Sequence, residues 1–109
     1  MGSEKLLSLN EYQDLSRSTA VYKDNHTRGA GLTYTVLALC GESGELANKL
    51  KKHLRVGSTP DREVLMDELG DVLWYTAAIA YELGYELAEV AQFNLLKLAA
   101  RKSQGRVTG

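Results

Sequence analysis

A near-absence of proline limits the folds that this chain can adopt. Pro60 is the only proline in 109 residues, and the segments on either side carry apolar residues at steps of three and four. Such spacing aligns apolar side chains along one stripe of an α-helix, whereas a strand alternates every second residue. The sequence therefore predicts an all-α fold, a four-helix bundle-like single domain.

Local signals predict where the helices begin and end. Ser8 and Glu11 have the form of a capping box before the first helix, and Thr59 and Pro60 suit the start of the third. Gly84 is placed to end the third helix in a left-handed conformation. We therefore expect helices over about 9–23, 32–55, 60–83 and 86–102.

The apolar positions predict which faces of the helices are buried. In the first helix these positions are Leu9, Tyr12, Leu15 and Thr19. In the second helix they are Leu32, Val36, Leu39, Leu46, Leu50 and Leu54. The third helix carries no charge over residues 72–81, so we expect that half to be buried on all sides. Tyr85 stands where a Ser or Asp N-cap is expected, which predicts a weak start for the fourth helix.

The length of the chain predicts how its core is completed. We expect one domain over residues 1–109, with a core at about 9–105 and flexible segments at 1–7 and 105–109. A domain of this size buries a smaller fraction of its surface than a larger one does. A second copy of the chain can cover the remainder, so we expect a homodimer or homotetramer.

Charge and cysteine content argue against several classes of protein. Lys and Arg total 13 against 14 Asp and Glu, so no overall positive field is available to bind a nucleic-acid polymer. The uncharged runs at 29–41 and 72–81 are too short to span a membrane. Cys40 is the only cysteine, which excludes a disulfide within the chain and suits the reducing cytoplasm.

Paired carboxylates are the first candidates for chemistry. Acidic residues three apart occur four times: Glu11/Asp14, Glu42/Glu45, Glu68/Asp71 and Glu86/Glu89. The first and last pairs fall in first turns of helices, where carboxylates stabilise the helix dipole. The middle two pairs lie inside helices beside the uncharged runs, so four carboxylates would converge if both helices pack in the core.

A bound cation would explain that convergence. Like charges held close together raise one another's pKa unless a cation neutralises them. An all-oxygen ligand set favours Mg²⁺, with Mn²⁺ as a substitute. The alternative is a solvated acidic face, in which Glu45 and Lys49 form an ordinary helical ion pair. Spacing alone leaves both alternatives open.

Basic residues form a second candidate set. Asn94, Lys97 and Arg101 share one face of the fourth helix, and Lys49 and Lys52 continue the Glu42/Glu45 stripe. A metal held by carboxylates beside cationic donors is what a polyphosphate requires. Taken singly, Lys97 and Arg101 are more typical of solvated cations at a helix end, so they support a phosphate site only together with the carboxylates.

Two aromatic residues follow the second acidic pair. Tyr75 lies one turn beyond Asp71, on nearly the same face, where it is placed to line a pocket for a flat base. Trp74 is expected in the core.

The order of these motifs resembles the MazG-like nucleotide pyrophosphohydrolases. That all-α superfamily carries E-x-x-E, a spacer of variable length, and E-x-x-D. The matching segments here are Gly41–Leu46, Asp67–Tyr75 and Asn94–Leu98 with Arg101. The resemblance extends over about residues 9–105 and implies Mg²⁺-dependent hydrolysis of a nucleoside triphosphate to its monophosphate and pyrophosphate, in nucleotide-pool house-cleaning.

The resemblance also implies roles for individual residues. The implied metal ligands are Glu42, Glu45, Glu68 and Asp71, with Glu42 or Glu45 orienting or deprotonating the attacking water. The implied substrate contacts are Asn94, Lys97 and Arg101 on the phosphates, Tyr75 near the base or sugar, and His26 as a base-stacking residue. There are two alternatives. One is that phosphoribosyl-ATP, dUTP or dCTP is the specific substrate, and the other is that the chain is a non-enzymatic helical interaction module.

Overall fold

A computed structural model describes residues 5–22 and 29–105. Its helices are α1 (Leu9–Ser16), a short 3-10 helix (Arg17–Thr19), α2 (Ala30–Val56), α3 (Arg62–Glu82) and α4 (Leu87–Ser103). No strand occurs in these residues, and the predicted all-α class is confirmed.

Helix α1 begins as predicted and ends early. The Ser8 hydroxyl accepts from the Glu11 N–H at 3.1 Å, and the Glu11 carboxylate accepts from the Ser8 N–H at 2.9 Å. The prediction that this helix runs to residue 23 is wrong, because a 3-10 turn follows Ser16. Hydroxyls of Ser16, Ser18 and Thr19 donate to the carbonyls three residues earlier, a local alternative to continued α-helix.

Two other helix starts also differ from the prediction. The N-cap of α3 is Asp61 rather than Thr59, because the Asp61 carboxylate accepts from the N–H groups of Glu63 and Val64 at 3.0 and 3.3 Å. The expected weak start of α4 is wrong, because Glu86 is its N-cap and the Glu89 carboxylate accepts from the Glu86 N–H at 2.9 Å.

Helix α3 is the central element of the fold. It pairs along α2, to which it is joined by residues 57–61, and it also contacts α1 and α4. Gly57 ends α2 at a φ of 72°, a left-handed conformation that a side chain would disfavour. This arrangement brings the middle of α2 against the middle of α3, where the acidic pairs lie.

The buried core of one chain is small. Among the described residues, the buried apolar side chains are Ala77, Ala78, Ala80 and Leu87. Of the residues predicted to be buried on α1, Tyr12 packs against this core, but the prediction is wrong for Leu9 and Leu15, which are 42% and 61% exposed. Gln13 and Ser16 are buried instead. Their helix turns its polar side toward α3, where Gln13 bonds to backbone groups.

Several apolar positions predicted to be buried are also exposed on α2 and α3. Leu54 is 79% exposed on α2, where Val36 and Leu50 are also open to solvent. Tyr81 is 53% exposed, so the uncharged half of α3 is not buried on all sides in a single chain. Across the described segments, every helix is too short or too polar to cross a membrane.

Candidate metal centre

Three carboxylates meet between α2 and α3. Glu68 and Asp71 lie three residues apart on one face of α3, and Glu42 reaches them from α2. One oxygen from each carboxylate lies within 4.8 Å of the other two. Glu42 and Glu68 are half-buried, and Asp71 is exposed. We call these three residues the carboxylate cluster.

The electrostatics of the carboxylate cluster are unbalanced. Burial raises the pKa of Glu42, and the neighbouring charges of Asp71, Glu68 and Glu45 raise it further, in that order. Among the described residues, no basic side chain lowers that pKa in compensation. A cation bound among these oxygens would remove the repulsion, and an all-oxygen donor set fits Mg²⁺ or Mn²⁺.

Glu45 lies outside the carboxylate cluster. Its charge still contributes to the raised pKa of Glu42, so it is close to the cluster without joining it. The Glu45 side chain instead lines a surface groove on α2 together with Lys49 and Lys52. Of the four metal ligands that the resemblance implies, the structure therefore brings three carboxylates together, and the ligand role of all four stays a prediction.

An aromatic cluster adjoins the carboxylates, and only Tyr75 was expected there. Tyr22 and Tyr34 stack with ring centroids 5.7 Å apart and planes 16° from parallel. Trp74 meets Tyr22 edge-on at 6.3 Å and Tyr75 at 5.0 Å. We call these four residues the aromatic cluster. Trp74 was expected to be wholly core, yet it is only half-buried and donates from Nε1 to the Thr19 hydroxyl at 2.8 Å.

Tyr75 links the two clusters. Burial raises its pKa most, followed by a hydrogen bond with Tyr34 and by the charges of Glu42 and Asp71. The Tyr75 ring therefore contacts Trp74 within the aromatic cluster and is also within electrostatic range of the carboxylates.

Tyr22 is held in place from the far side. Its hydroxyl donates to Glu82 at 2.7 Å, and the Arg17 guanidinium lies over the Tyr22 ring at 5.4 Å and the Tyr81 ring at 3.8 Å. The Glu82 side chain occupies the space that a Cβ on Gly31 would need, since Glu82 Oε1 lies 2.5 Å from that position. A side chain at position 31 would therefore require the Glu82 carboxylate to move away from this position.

The sequence gives little sign of this aromatic cluster. Tyr34 lies two turns before Glu42 on α2, which is a weak helical signal. Tyr22 follows the 3-10 turn that the periodicity does not predict, so its position comes only from the structure.

The remaining predicted site residues lie on α4, on the second half of α2, or outside the described residues. Asn94 and Lys97 are exposed and Arg101 is half-buried on α4, a helix that packs against α1 and α3. Lys49 and Lys52 lie on α2 beyond Glu45. The prediction for His26 falls outside the described residues.

Comparison with known proteins connects this arrangement to a family. Residues 31–105 match the model of the MazG nucleotide pyrophosphohydrolase domain, a range that includes the whole carboxylate cluster. Over 104 residues the chain is 42% identical to the "Gene 37 protein" of Mycobacterium phage L5, covering 90% of this chain and 91% of that protein. No solved structure matches the chain significantly.

Proposed function

Because the chain belongs to the MazG nucleotide pyrophosphohydrolase family, we propose that it hydrolyses a nucleoside triphosphate to its monophosphate and pyrophosphate with Mg²⁺ as cofactor. The observation that carries this proposal is the carboxylate cluster, whose three like charges meet with no basic side chain among the described residues to offset them. The aromatic cluster beside it supplies a platform for a base.

Glu42, Glu68 and Asp71 would hold the metal, with Glu45 as a further ligand or as the residue that positions water. When bound, Mg²⁺ or Mn²⁺ supplies positive charge to the phosphate oxygens and to the leaving pyrophosphate. Its affinity depends on ionised carboxylates, so the raised pKa of Glu42 makes metal binding favour neutral over acidic pH.

Glu45 is the better placed of the two candidate bases. It lies outside the three-carboxylate group while remaining close to Glu42, so its oxygens are available to accept a proton from water. That water attacks the α-phosphorus, its oxygen joins the monophosphate, and the bridging oxygen leaves with pyrophosphate. Positioning of the water and substrate supplies the rest of the rate enhancement.

Other residues would bind the two ends of the substrate. We assign Tyr75 to the base or sugar, since it is the member of the aromatic cluster whose pKa the charges of Glu42 and Asp71 raise. Lys49 and Lys52, and the Asn94, Lys97 and Arg101 face of α4, are proposed phosphate contacts. These basic groups neutralise a polyanion through directed hydrogen bonds.

A second copy of the chain would complete the molecule. Large apolar side chains are exposed on α2, α3 and α4, among them Leu37 at 67%, Met66 at 68% and Phe93 at 70%. Exposed apolar area on this scale is typical of an interface between copies. We propose a homodimer or homotetramer that covers these surfaces, and a cytoplasmic location remains a prediction.

The test is a substrate panel. Purified protein is incubated with each NTP and dNTP, including dUTP, and with phosphoribosyl-ATP, in the presence of Mg²⁺ or of EDTA. We expect monophosphate and pyrophosphate from a subset of these nucleotides with Mg²⁺ only. In water labelled with a heavy oxygen isotope, the label should appear in the monophosphate, because attack at the α-phosphorus places it there.

A matched pair of variants connects the activity to the site. Loss of a group that merely supports a metal ligand lowers metal affinity or activity about 10- to 100-fold. Asp71→Asn alters a proposed ligand itself, so it should lower kcat/KM by about 100-fold or more. Asp67→Asn removes the same charge from the preceding turn of α3, outside the cluster, and should leave kcat/KM within about twofold. Folded protein that releases no monophosphate from any nucleotide would refute the proposed function.

A further inference from the structure

Tyr34 is an exposed aromatic residue whose ring is nevertheless held in place. Tyr22 stacks on it with ring centroids 5.7 Å apart, and its hydroxyl forms a hydrogen bond with that of Tyr75. The Tyr34 side chain is still 49% exposed, so part of its surface stays open to a ligand. Ordering an exposed side chain costs conformational entropy, and these two contacts offset that cost before any ligand binds.

Tyr22 is the member of the aromatic cluster that does not lie on α2 or α3. Its hydroxyl donates to the Glu82 carboxylate at 2.7 Å, at the end of α3. That carboxylate also lies against Gly31 in the first turn of α2, where the helix dipole stabilises a negative charge. A hydrogen bond to a carboxylate is stronger than one between neutral groups, so Glu82 fixes Tyr22 to the ends of both helices.

The segment that precedes Tyr22 is attached to α3 at two further points. The Thr19 hydroxyl accepts from Trp74 Nε1 at 2.8 Å. The Arg17 guanidinium lies 3.8 Å from the centroid of the Tyr81 ring. The position of Tyr22 is therefore set by side-chain contacts with α3 rather than by a helix that continues from α1.

Tyr34 is separate from the carboxylate cluster but connected with it. Eight residues place Tyr34 about 12 Å from Glu42 along α2 and about 80° around its axis, so the two lie on adjoining faces. Tyr75 connects them, because it forms a hydrogen bond with Tyr34 while the charges of Glu42 and Asp71 raise its pKa. A ligand with an aromatic part and an anionic part can therefore use both.

We propose that the base of the nucleotide stacks on Tyr34, and that Tyr22 and Glu82 are positioning residues that hold the Tyr34 ring for it. The proposal rests on the function proposed above and deepens it by assigning the base to one residue. A base on Tyr34 and phosphates at the carboxylate cluster leave Tyr75 beside the sugar. Because every base has a flat face, this contact adds affinity for any nucleotide and does not read the edge of the base.

The first measurement is binding, which does not depend on hydrolysis. The intact protein is titrated by calorimetry with each deoxynucleoside monophosphate and with inorganic pyrophosphate, in the presence of Mg²⁺. Tyr34→Leu removes the stacking surface and should weaken monophosphate binding about tenfold. Pyrophosphate has no base, so its affinity should stay unchanged, which also shows that the variant is folded. Tyr34→Phe keeps the ring and should retain most of the monophosphate affinity.

Tyr85→Leu is the matched control. Tyr85 is 55% exposed and lies outside the aromatic cluster, in a groove that it shares with Phe93. This variant should bind both ligands like wild type. The assignment is overturned if the control loses as much affinity, if Tyr34→Leu loses pyrophosphate binding equally, or if Tyr34→Phe is as weak as Tyr34→Leu. Loss of assembly by Tyr34→Leu at unchanged monophosphate affinity would make Tyr34 an interface residue instead.

The second measurement tests the two positioning residues. Tyr22→Phe and Glu82→Ala each remove their shared hydrogen bond and should each weaken monophosphate binding about fivefold. The double variant should be no weaker than either single one, because both act through the same bond. Glu82→Gln keeps an oxygen that accepts from Tyr22, so it should bind like wild type. Additive losses would overturn the positioning role.

A spectroscopic signature accompanies these variants. Trp74 is the only tryptophan in the chain and meets Tyr22 edge-on at 6.3 Å. Its fluorescence emission should shift in Tyr22→Phe and Glu82→Ala and stay like wild type in Glu82→Gln. Emission that is unchanged in all three would mean that Glu82 does not hold Tyr22 in place.

The third measurement is hydrolysis of the triphosphates that the substrate panel identifies. Stacking holds the base equally in the ground state and the transition state, so Tyr34→Leu and Glu82→Ala should raise KM and leave kcat unchanged. If no nucleotide is hydrolysed but monophosphate binding depends on Tyr34, the proposed function fails and this assignment stands. If a triphosphate is hydrolysed and Tyr34→Leu has the KM of wild type, the assignment of the base to Tyr34 alone fails.

Discussion

Two polar sites where other helices meet α3 differ in how their polar groups are satisfied. One is the buried amide of Gln13, which is 6% exposed. Its Nε2 donates to the carbonyls of Ala77 and Tyr85 at 3.2 and 3.1 Å, and its Oε1 accepts from the Leu87 N–H at 2.9 Å. The other is the carboxylate cluster, where three acceptors face one another without a donor or cation among the described residues.

The difference separates a structural site from a functional one. A buried polar group whose hydrogen bonds are all made fixes the packing of the elements that it joins, here α1, α3 and α4. A group of like charges costs stability in the free protein, and that cost is recovered only when a ligand binds. Removal of the Gln13 amide should therefore destabilise the fold. Removal of one carboxylate from the cluster should instead stabilise the free protein and abolish ligand binding.

The largest effect is expected at Gln13. Gln13→Leu keeps a similar volume but leaves the Leu87 N–H without its acceptor and removes a donor from the carbonyls of Ala77 and Tyr85. Loss of a buried hydrogen-bond partner costs about 1–3 kcal/mol per group left unsatisfied, so the free energy of unfolding should fall by about 3 kcal/mol. Urea denaturation followed by circular dichroism measures this change.

The control for Gln13 is an exposed glutamine. Gln92 lies on α4 with its side chain open to solvent, so Gln92→Leu should change the free energy of unfolding by less than about 0.5 kcal/mol. If Gln13→Leu is as stable as Gln92→Leu, then Gln13 does not fix the junction of α1, α3 and α4.

A substitution at Glu42 should raise the free energy of unfolding rather than lower it. Glu42→Gln removes a half-buried charge that three neighbouring carboxylates repel, so the free protein should gain about 0.5–1 kcal/mol in EDTA. The same variant should lose the rise in melting temperature that Mg²⁺ gives to wild type. Asp67→Asn, outside the cluster, should keep that rise. If Glu42→Gln responds to Mg²⁺ like wild type, the metal is bound elsewhere.

The sequence predicts the acidic residues of the carboxylate cluster but not the buried site at Gln13. Glu68 and Asp71 recur at helical spacing on α3, and a repeated pattern shows both the helix and its face. Gln13 is one polar residue between apolar ones, so the same periodicity predicts burial of Leu9 and Leu15 instead. Hydrogen bonds to distant backbone groups decide the orientation of α1, and no local pattern records them.

Helical rotation limits what the motif itself predicts. Residues three apart are separated by about 60° around a helix axis, so only one of Glu42 and Glu45 points directly at α3. The structure places Glu42 in the carboxylate cluster, whereas Glu45 lines the surface groove on α2 together with Lys49 and Lys52. Spacing identifies the pair as a candidate site, while packing against α3 assigns each member a different role.

The smallest effect expected is a dependence of stability on pH at the carboxylate cluster. The pKa of Glu42 is raised in the folded protein, so between its ordinary and raised values the folded state binds more protons than the unfolded state. The free energy of unfolding in EDTA should therefore fall as pH rises through that range, and Glu42→Gln should lack this part of the fall. Hydrogen bonds with Ser8 lower the pKa of Glu11, so Glu11 makes stability rise with pH instead. This contribution is the same in wild type and in Glu42→Gln, so it cancels in their difference. Denaturation of wild type and Glu42→Gln at several values from about pH 4 to about pH 7 measures the difference, which should widen toward neutral pH. A difference that stays constant over this range would mean that Glu42 is not strained by its neighbours, and the contrast with Gln13 would then rest on the metal response alone.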